Sequence, residues 1–212
     1  MTLLRIDGSI LGPNSASSEL ADLALAEFVS VRPDVPVVTR HLAQNPIASD
    51  AWQTAIGAGY TPEDVRTPEQ RAALELAATV AGELRDADVA VLALPLYNWG
   101  VSQHTKTWID LAIAGGASGE RLLEGKHVLL ITTRGGSYAP GTPKEGWDHN
   151  IEYLRRILVD VWGADLTVVE REFTLVGVNP ALDQFTEAAA LIKKEAHEAA
   201  ADAGSHLATV HA

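Results

Sequence analysis

Six consecutive apolar residues, Val89 to Leu94, stand out in a chain where strand-like and helix-like apolar patterns alternate from end to end. Val-Ala-Val-Leu-Ala-Leu does not alternate, so it reads as a strand buried on both faces, as in a parallel sheet. Four further stretches read as strands: Thr2 to Asp7, Val35 to Leu42, His127 to Thr133 and Leu166 to Phe173. Helical periodicity fills the gaps between them. Ser17 to Val31 places Leu20, Leu23, Ala24 and Phe28 on one face. Residues 43–66 are irregular, with a short helix around Ala51 to Ile56. Thr67-Pro68-Glu69-Gln70 predicts a helix start, because threonine caps, proline fits the first turn and glutamine follows at the third helical position. That helix runs to about Asp86 with Ala73, Leu76, Ala77, Val80, Ala81 and Leu84 in its apolar stripe.

Ser102 or Gln103 opens a helix through Trp108 and Leu111 that stops at Gly115-Gly116. Residues 134–147 form a glycine- and proline-rich loop, after which Asp148 caps a helix carrying Ile151, Leu154, Leu158 and Val161 and ending at Gly163. An alanine-rich closing helix spans Ala181 to about Ala203, with Phe185, Ala189, Ile192 and Ala196 inward and the last eight residues frayed. Strands alternating with helices imply βαβ units: an α/β fold, a five-stranded parallel sheet in a three-layer α/β/α sandwich, taken as one domain over residues 1–212.

Composition narrows the function. Lys and Arg total 16 against 28 Asp and Glu, a net charge of −12 that lacks the basic footprint of a nucleic-acid binder and gives no attraction to an anionic membrane. There is no cysteine, so no thiolate metal site and no cysteine nucleophile. The seven histidines show no tight ligand spacing, and no metal is expected. No membrane span and no signal-peptide pattern is read, so a cytoplasmic protein is expected.

In a parallel sheet all carboxyl ends lie on one edge, where open α/β sheets hold their ligands. Three loops leave that edge. Gly8 to Ser18 carries Ser9 and the run Ser15-Ala16-Ser17 at a helix start, where backbone N–H groups and the helix dipole suit a phosphate; either serine serves equally as a plain helix cap. This loop has neither the Walker pattern nor the Gly-x-Gly-x-x-Gly fingerprint. Pro95-Leu96-Tyr97-Asn98-Trp99-Gly100 sets two aromatic rings around an amide, which suits a planar hydrogen-bonding ligand or simply core and interface packing. Thr133-Arg134-Gly135-Gly136 offers glycines that permit close backbone approach and unusual φ, or an ordinary turn. Tyr138, in the long loop that follows, is a candidate lid. Trp108 and Trp162 suit an interface or the core equally.

Through Ser9-Ile10-Leu11, Ser15-Ala16-Ser17, Asn45-Pro46-Ile47, Pro95-Leu96-Tyr97-Asn98-Trp99 and Thr133-Arg134-Gly135-Gly136, the chain resembles the FMN-dependent NADH:quinone oxidoreductases, or azoreductases, of the flavodoxin-like fold. The resemblance implies that Ser9, Ser15, Ala16 and Ser17 hold the FMN phosphate. It implies that Leu96, Tyr97, Asn98 and Trp99 contact the ring system, and that Thr133, Arg134, Gly135 and Gly136 bind its polar edge. NADH or NADPH would be the donor, and a quinone, azo compound or nitroaromatic the acceptor, in a ping-pong hydride shuttle with no catalytic side chain. Relatives are homodimers. Three departures stand out. The aromatic-rich insertion common in the family is shortened here to Gly115-Gly116-Ala117-Ser118-Gly119-Glu120, Val161-Trp162 stands where the family often has Phe, and Ser137-Tyr138 follows the glycine pair with no histidine. A flavodoxin-type electron carrier without its own NAD(P)H activity is the alternative on the same architecture.

Overall fold

In a computed structural model, which describes residues 1–210, the apolar runs form one parallel sheet. Its strands are β1 (Leu3–Asp7), β2 (Val37–His41), β3 (Val89–Ala93), β4 (His127–Thr133) and β5 (Asp165–Arg171), in the order β2-β1-β3-β4-β5. The helices are α1 (Ala16–Val31), α2 (Ala51–Gly59), α3 (Pro68–Asp86), α4 (Gln103–Gly115), α5 (Ile151–Arg155) and α6 (Thr186–Thr209). Side chains alternate across the pleat, so β1 sends Leu3 to one face and Leu4 and Ile6 to the other. α1 and α6 cover the Leu3 face; α2, α3, α4 and α5 cover the opposite one. β1 and β3 are neighbours although β2 lies between them in the chain. The crevice above that pair, where the strand order reverses, is where such sheets bind ligands.

α3 begins as its sequence dictates: the Thr67 side chain accepts from the Gln70 amide at 3.2 Å and Gln70 Oε1 accepts from the Thr67 amide at 3.0 Å. Elsewhere packing overrides the sequence pattern. The helix opened at Ile151 widens into a π segment, Arg156–Val161, in which the Trp162 amide reaches back to the Ile157 carbonyl at 2.9 Å. The inserted residue turns Val161 outward, 39% exposed, and Trp162 inward, 1% exposed, against Trp108 edge-on at 5.7 Å. Both tryptophans are therefore core groups. The closing helix is a 3₁₀ turn over Pro180–Phe185 followed by α6, with Phe185 partly exposed rather than inward. It also continues past Ala203 instead of fraying. Leu207 and Ala208 are buried, and Arg32 Nε donates to the Ala208 carbonyl at 2.8 Å. Only the last two of the eight residues expected to fray, His211 and Ala212, lie outside the described residues.

Glu19 of α1 ties three elements together, accepting from Arg171 Nη1 at 2.8 Å and pairing with Lys193 Nζ at 2.9 Å. Burial opposes its charge, but the Lys193 and Arg171 hydrogen bonds more than offset this and hold the carboxyl below its ordinary value of 4.5. A depressed carboxyl stabilises the fold above its unfolded pKa and loses that contribution as pH falls through the folded value. Glu19→Gln is expected to lower the unfolding midpoint at pH 7 and to converge with wild type as the solution is acidified below 4.5, measured by thermal melts.

Candidate functional site

The three carboxyl-edge loops are knitted to one another. Tyr97 directs its hydroxyl to the β1 loop, within 3.1 Å of Ser9 Oγ and accepting from the Ile10 amide at 3.1 Å. The Leu96 amide donates to the Thr133 carbonyl at 3.0 Å, joining the β3 and β4 loops. Tyr97 is thus a strut between loops, with only its ring left to meet a ligand.

At the start of α1, Ser15 is the cap: its Oγ accepts from the Ser18 amide at 3.1 Å and lies 3.1 Å from Ser17 Oγ. The amides of Ala16 and Ser17 have no protein acceptor among the described residues, as the first turn of a helix dictates. Capping and cradling are compatible here, because the cap uses a different amide. Ser9, Gly12 and Ser15 line one cavity of about 800 Å³. The same cavity carries Asp7 and Asp22, whose charges Arg5 offsets through Nε–Oδ2 at 2.7 Å and Nη1–Oδ1 at 2.5 Å. Burial works against the Arg5 charge, but its bonds to Asp7 and Asp22 hold the guanidinium above its usual value.

In the β3 loop, Asn98 and Trp99 both adopt left-handed backbone, φ 47° and 67°, between reciprocal Tyr97–Gly100 hydrogen bonds of 2.9 and 3.0 Å. A two-residue turn of this kind favours Asn-Gly; tryptophan at its second position carries strain on the order of 1–3 kcal/mol. The strain displays the Trp99 indole, 46% exposed, beside a cavity of about 510 Å³. Asn98 also lines a second opening of about 460 Å³ with Tyr97 and Ile10. Ser15 and Asn98 thus share one sheet edge with Gly135 but open onto different cavities.

The β4 loop departs most from expectation. Neither Gly135 nor Gly136 has positive φ. A Cβ at Gly135 would sit 2.6 Å from Leu175 Cδ1, in the segment after β5, so a larger residue there would push aside a half-exposed leucine side chain. Their amides nevertheless have no protein acceptor among the described residues. The Arg134 side chain, 7% exposed, pairs with Asp148 and with Glu170 at 2.5 Å, and lies 3.9 Å from Glu172. Burial opposes its charge; the bond to Glu170 and the fields of Glu170 and Asp148 more than compensate and hold the guanidinium above its ordinary value. The guanidinium is committed to these carboxylates, the Arg134 amide donates to the Arg171 carbonyl at 2.9 Å and its carbonyl accepts from the Thr174 amide at 3.1 Å, so Arg134 shapes the turn while the free donors are the Gly135 and Gly136 amides. Tyr138 is tethered by its amide to Glu172 at 2.7 Å, and burial, then the Asp148 charge, pushes its phenol pKa up. It lines neither cavity beside Asn98.

The run Trp147 to Asn150, just before α5, also belongs to this edge; the sequence pattern singled out only Asp148, and that as a helix cap. Asp148 Oδ1 accepts the Asn150 and Ile151 amides at 2.7 and 3.1 Å, performing the expected cap from two positions upstream of Asn150. Asn150, fully buried, donates from Nδ2 to the Leu94 carbonyl at 3.3 Å and to Thr132 Oγ1 at 3.0 Å, while its Oδ1 has no partner among the described residues. Trp147 stands edge-on to Trp99 at 6.2 Å, and the His149 amide donates to the Trp99 carbonyl at 2.9 Å. Gly146-Trp147-Asp148-His149-Asn150, an aromatic and polar run between a sheet-edge loop and a helix, was the available signal.

Residues 1–201 match the model of a family described by its flavodoxin-like fold. A protein of Frankia alni named FMN-dependent NADH:quinone oxidoreductase is 38% identical over 190 residues, 87% of this chain and 90% of its own. One of the same name from Streptomyces avermitilis is 34% identical, with 98% and 97% covered. Among solved structures, an azoreductase of Bacillus anthracis superposes with a TM-score of 0.77 at 22% identity, covering 97% of this chain and 100% of that one. An FMN-dependent NADH-azoreductase from the same organism, solved in complex with FMN, gives 0.71 at 21% identity over 98% and 99%. At these identities the structures speak for the fold.

Proposed function

The chain belongs to the flavodoxin-like family that includes the FMN-dependent NADH:quinone oxidoreductases, and from that premise we propose that it is itself an FMN-dependent oxidoreductase, passing two electrons from NADH or NADPH to a quinone or azo acceptor. The observation that carries this reading is the pair of unsatisfied amide sets, at Ala16–Ser17 and at Gly135–Gly136, held on one edge by the Ser9–Tyr97 and Leu96–Thr133 hydrogen bonds. Free donors at both ends of an edge with aromatic rings between them match the chemistry of FMN: an anionic phosphate, a flat ring and a polar rim. The chemistry supplied by bound FMN is hydride exchange between a reduced nicotinamide and an acceptor.

The chain's own groups do the holding. Ala16 and Ser17 amides, with the hydroxyls of Ser9, Ser15 and Ser17, receive the phosphate at the positive end of the 16-residue helix α1. Leu96, Asn98, Trp99 and the ring of Tyr97 form the platform. The Thr133–Gly136 backbone faces the polar rim, with the Gly135 and Gly136 amides as donors. Donor and acceptor take turns at one opening beside Asn98, and the protein works as a homodimer on small-molecule substrates. Among the described residues no helix is long and apolar enough to cross a membrane.

The phosphate is the part to test. Two charge-assisted hydrogen bonds at about 1.5 kcal/mol or more each predict that FMN binds about 100-fold or more tighter than riboflavin, which lacks the phosphate. Fluorescence titration of both flavins measures it. Equal affinities would overturn the cradle. Bound FMN that NADH leaves oxidised, with no quinone turnover, would overturn the enzymatic reading in favour of an electron carrier.

A further inference from the structure

Trp99 and Trp147 stand apart from the other tryptophans that meet in pairs. Trp108 and Trp162 are 0% and 1% exposed and fill the core, whereas Trp99 and Trp147 are 46% and 50% exposed with their planes at 69°. Both ride on fixed backbone. Trp99 is set by its left-handed turn, closed on both sides by Tyr97 and Gly100. Trp147 follows Gly146, whose φ is +76°, and precedes Asp148, whose carboxylate is 10% exposed and locked onto Arg134. The His149 amide then latches this segment to the Trp99 carbonyl at 2.9 Å. Two indoles held open in this way form a corner rather than a closed stack. Together with Asn98, Gly100 and His149 they line a cavity of about 510 Å³, ample for a flat two-ring molecule.

We propose that Trp147 is a specificity-determining residue: with Trp99 it forms an aromatic corner that seats the second ring of a planar, two-ring acceptor. The inference rests on the oxidoreductase reading above and assigns an acceptor class to that site. Offset or edge-to-face stacking rewards a ring lying on one indole with its rim against the other. A one-ring quinone, seated by the Asn98–Trp99 turn alone, gains nothing from Trp147. The 134–147 loop thereby supplies the aromatic wall that the short Gly115–Glu120 connection lacks, since that connection contributes only glycine, alanine, serine and glutamate.

The test uses the FMN-loaded full chain and compares a naphthoquinone with a benzoquinone. Trp147→Ala is expected to raise KM for the naphthoquinone about tenfold and to leave KM for the benzoquinone, the FMN affinity and the thermal midpoint near wild type. Trp147→Phe is expected to restore most of the difference, and Trp52→Ala, an exposed tryptophan on α2, to change neither KM. A second readout needs no turnover: binding of 2-naphthol, which is not reduced, weakens by the same factor in Trp147→Ala by calorimetry. Equal losses for both quinones, or a shift from dimer to monomer without a change in their ratio, would overturn the proposal. Wild-type protein that reduces neither quinone would refute the oxidoreductase reading, and the 2-naphthol comparison would still decide whether the corner binds two rings.

Discussion

Arg134→Met is expected to lower the unfolding free energy by about 3 kcal/mol, with the midpoint falling by about 6 to 12 °C for a chain of this size. The guanidinium is 7% exposed and is the cation shared by Asp148, Glu170 and Glu172, whose side chains are 10%, 42% and 16% exposed. Deleting it leaves two partly buried carboxylates, Asp148 and Glu172, and the more exposed Glu170 facing one another. Loss of one partner of a buried pair costs far more than the pair contributes, because the remaining charge is still desolvated. Water reaches Glu170, so the lower end of the range applies. The consequence spreads to the site. Asp148 caps α5 and anchors the segment bearing Trp147, and Arg134 is chain-adjacent to the Gly135–Gly136 amides. FMN affinity is therefore expected to fall together with stability. Arg134→Lys keeps the charge but not the planar fork, and should lie between the two. The double variant Arg134→Met, Asp148→Asn removes one stranded charge and leaves an amide oxygen to cap α5, so it should regain part of the loss. An Arg134→Met protein as stable as wild type would show that the cluster is solvated in solution.

Gly204→Val should cost about 3 kcal/mol, the upper end of the overpacking range. A Cβ at Gly204 would lie 2.0 Å from the Ala24 carbonyl oxygen and 2.6 Å from its carbon. Those are main-chain atoms of α1, which no rotamer change can move aside. The two helices would have to separate, exposing Ala200, Leu207 and Ala208, which the crossing buries. Weakening is expected to concentrate in the last turns of α6, read as faster hydrogen exchange there alongside a midpoint lower by about 6 to 12 °C. An unchanged midpoint would mean that α6 docks more loosely than this contact requires.

The placement of the candidate site's three loops was legible because each is local. Ser15-Ala16-Ser17 sits at a helix start, and Leu96 to Trp99 and Thr133 to Gly136 follow apolar strands, so adjacency to a strand end placed all three loops on one edge. What adjacency does not reveal is where a long side chain goes. Tyr97 spends its hydroxyl on Ser9 and Ile10, 87 to 88 positions away. Arg134 turns to carboxylates 14 and 36 positions on. Trp147 joins the candidate site only through Trp99, whose left-handed backbone brings the two rings together.

The amino-acid order determined the sheet: the unbroken apolar runs Val89 to Leu94 and Val128 to Ile131 demand burial on both faces, and the Thr67–Gln70 box fixes where α3 begins. It also determined the acidity and the absence of thiol chemistry. The tertiary structure alone decided the rest. The π turn that buries Trp162, the glycine that lets α6 lie on α1, and the leucine side chain that packs over Gly135 all depend on which atoms meet across distant segments. Close packing is a property of pairs of surfaces, and no single stretch of chain encodes its partner's shape.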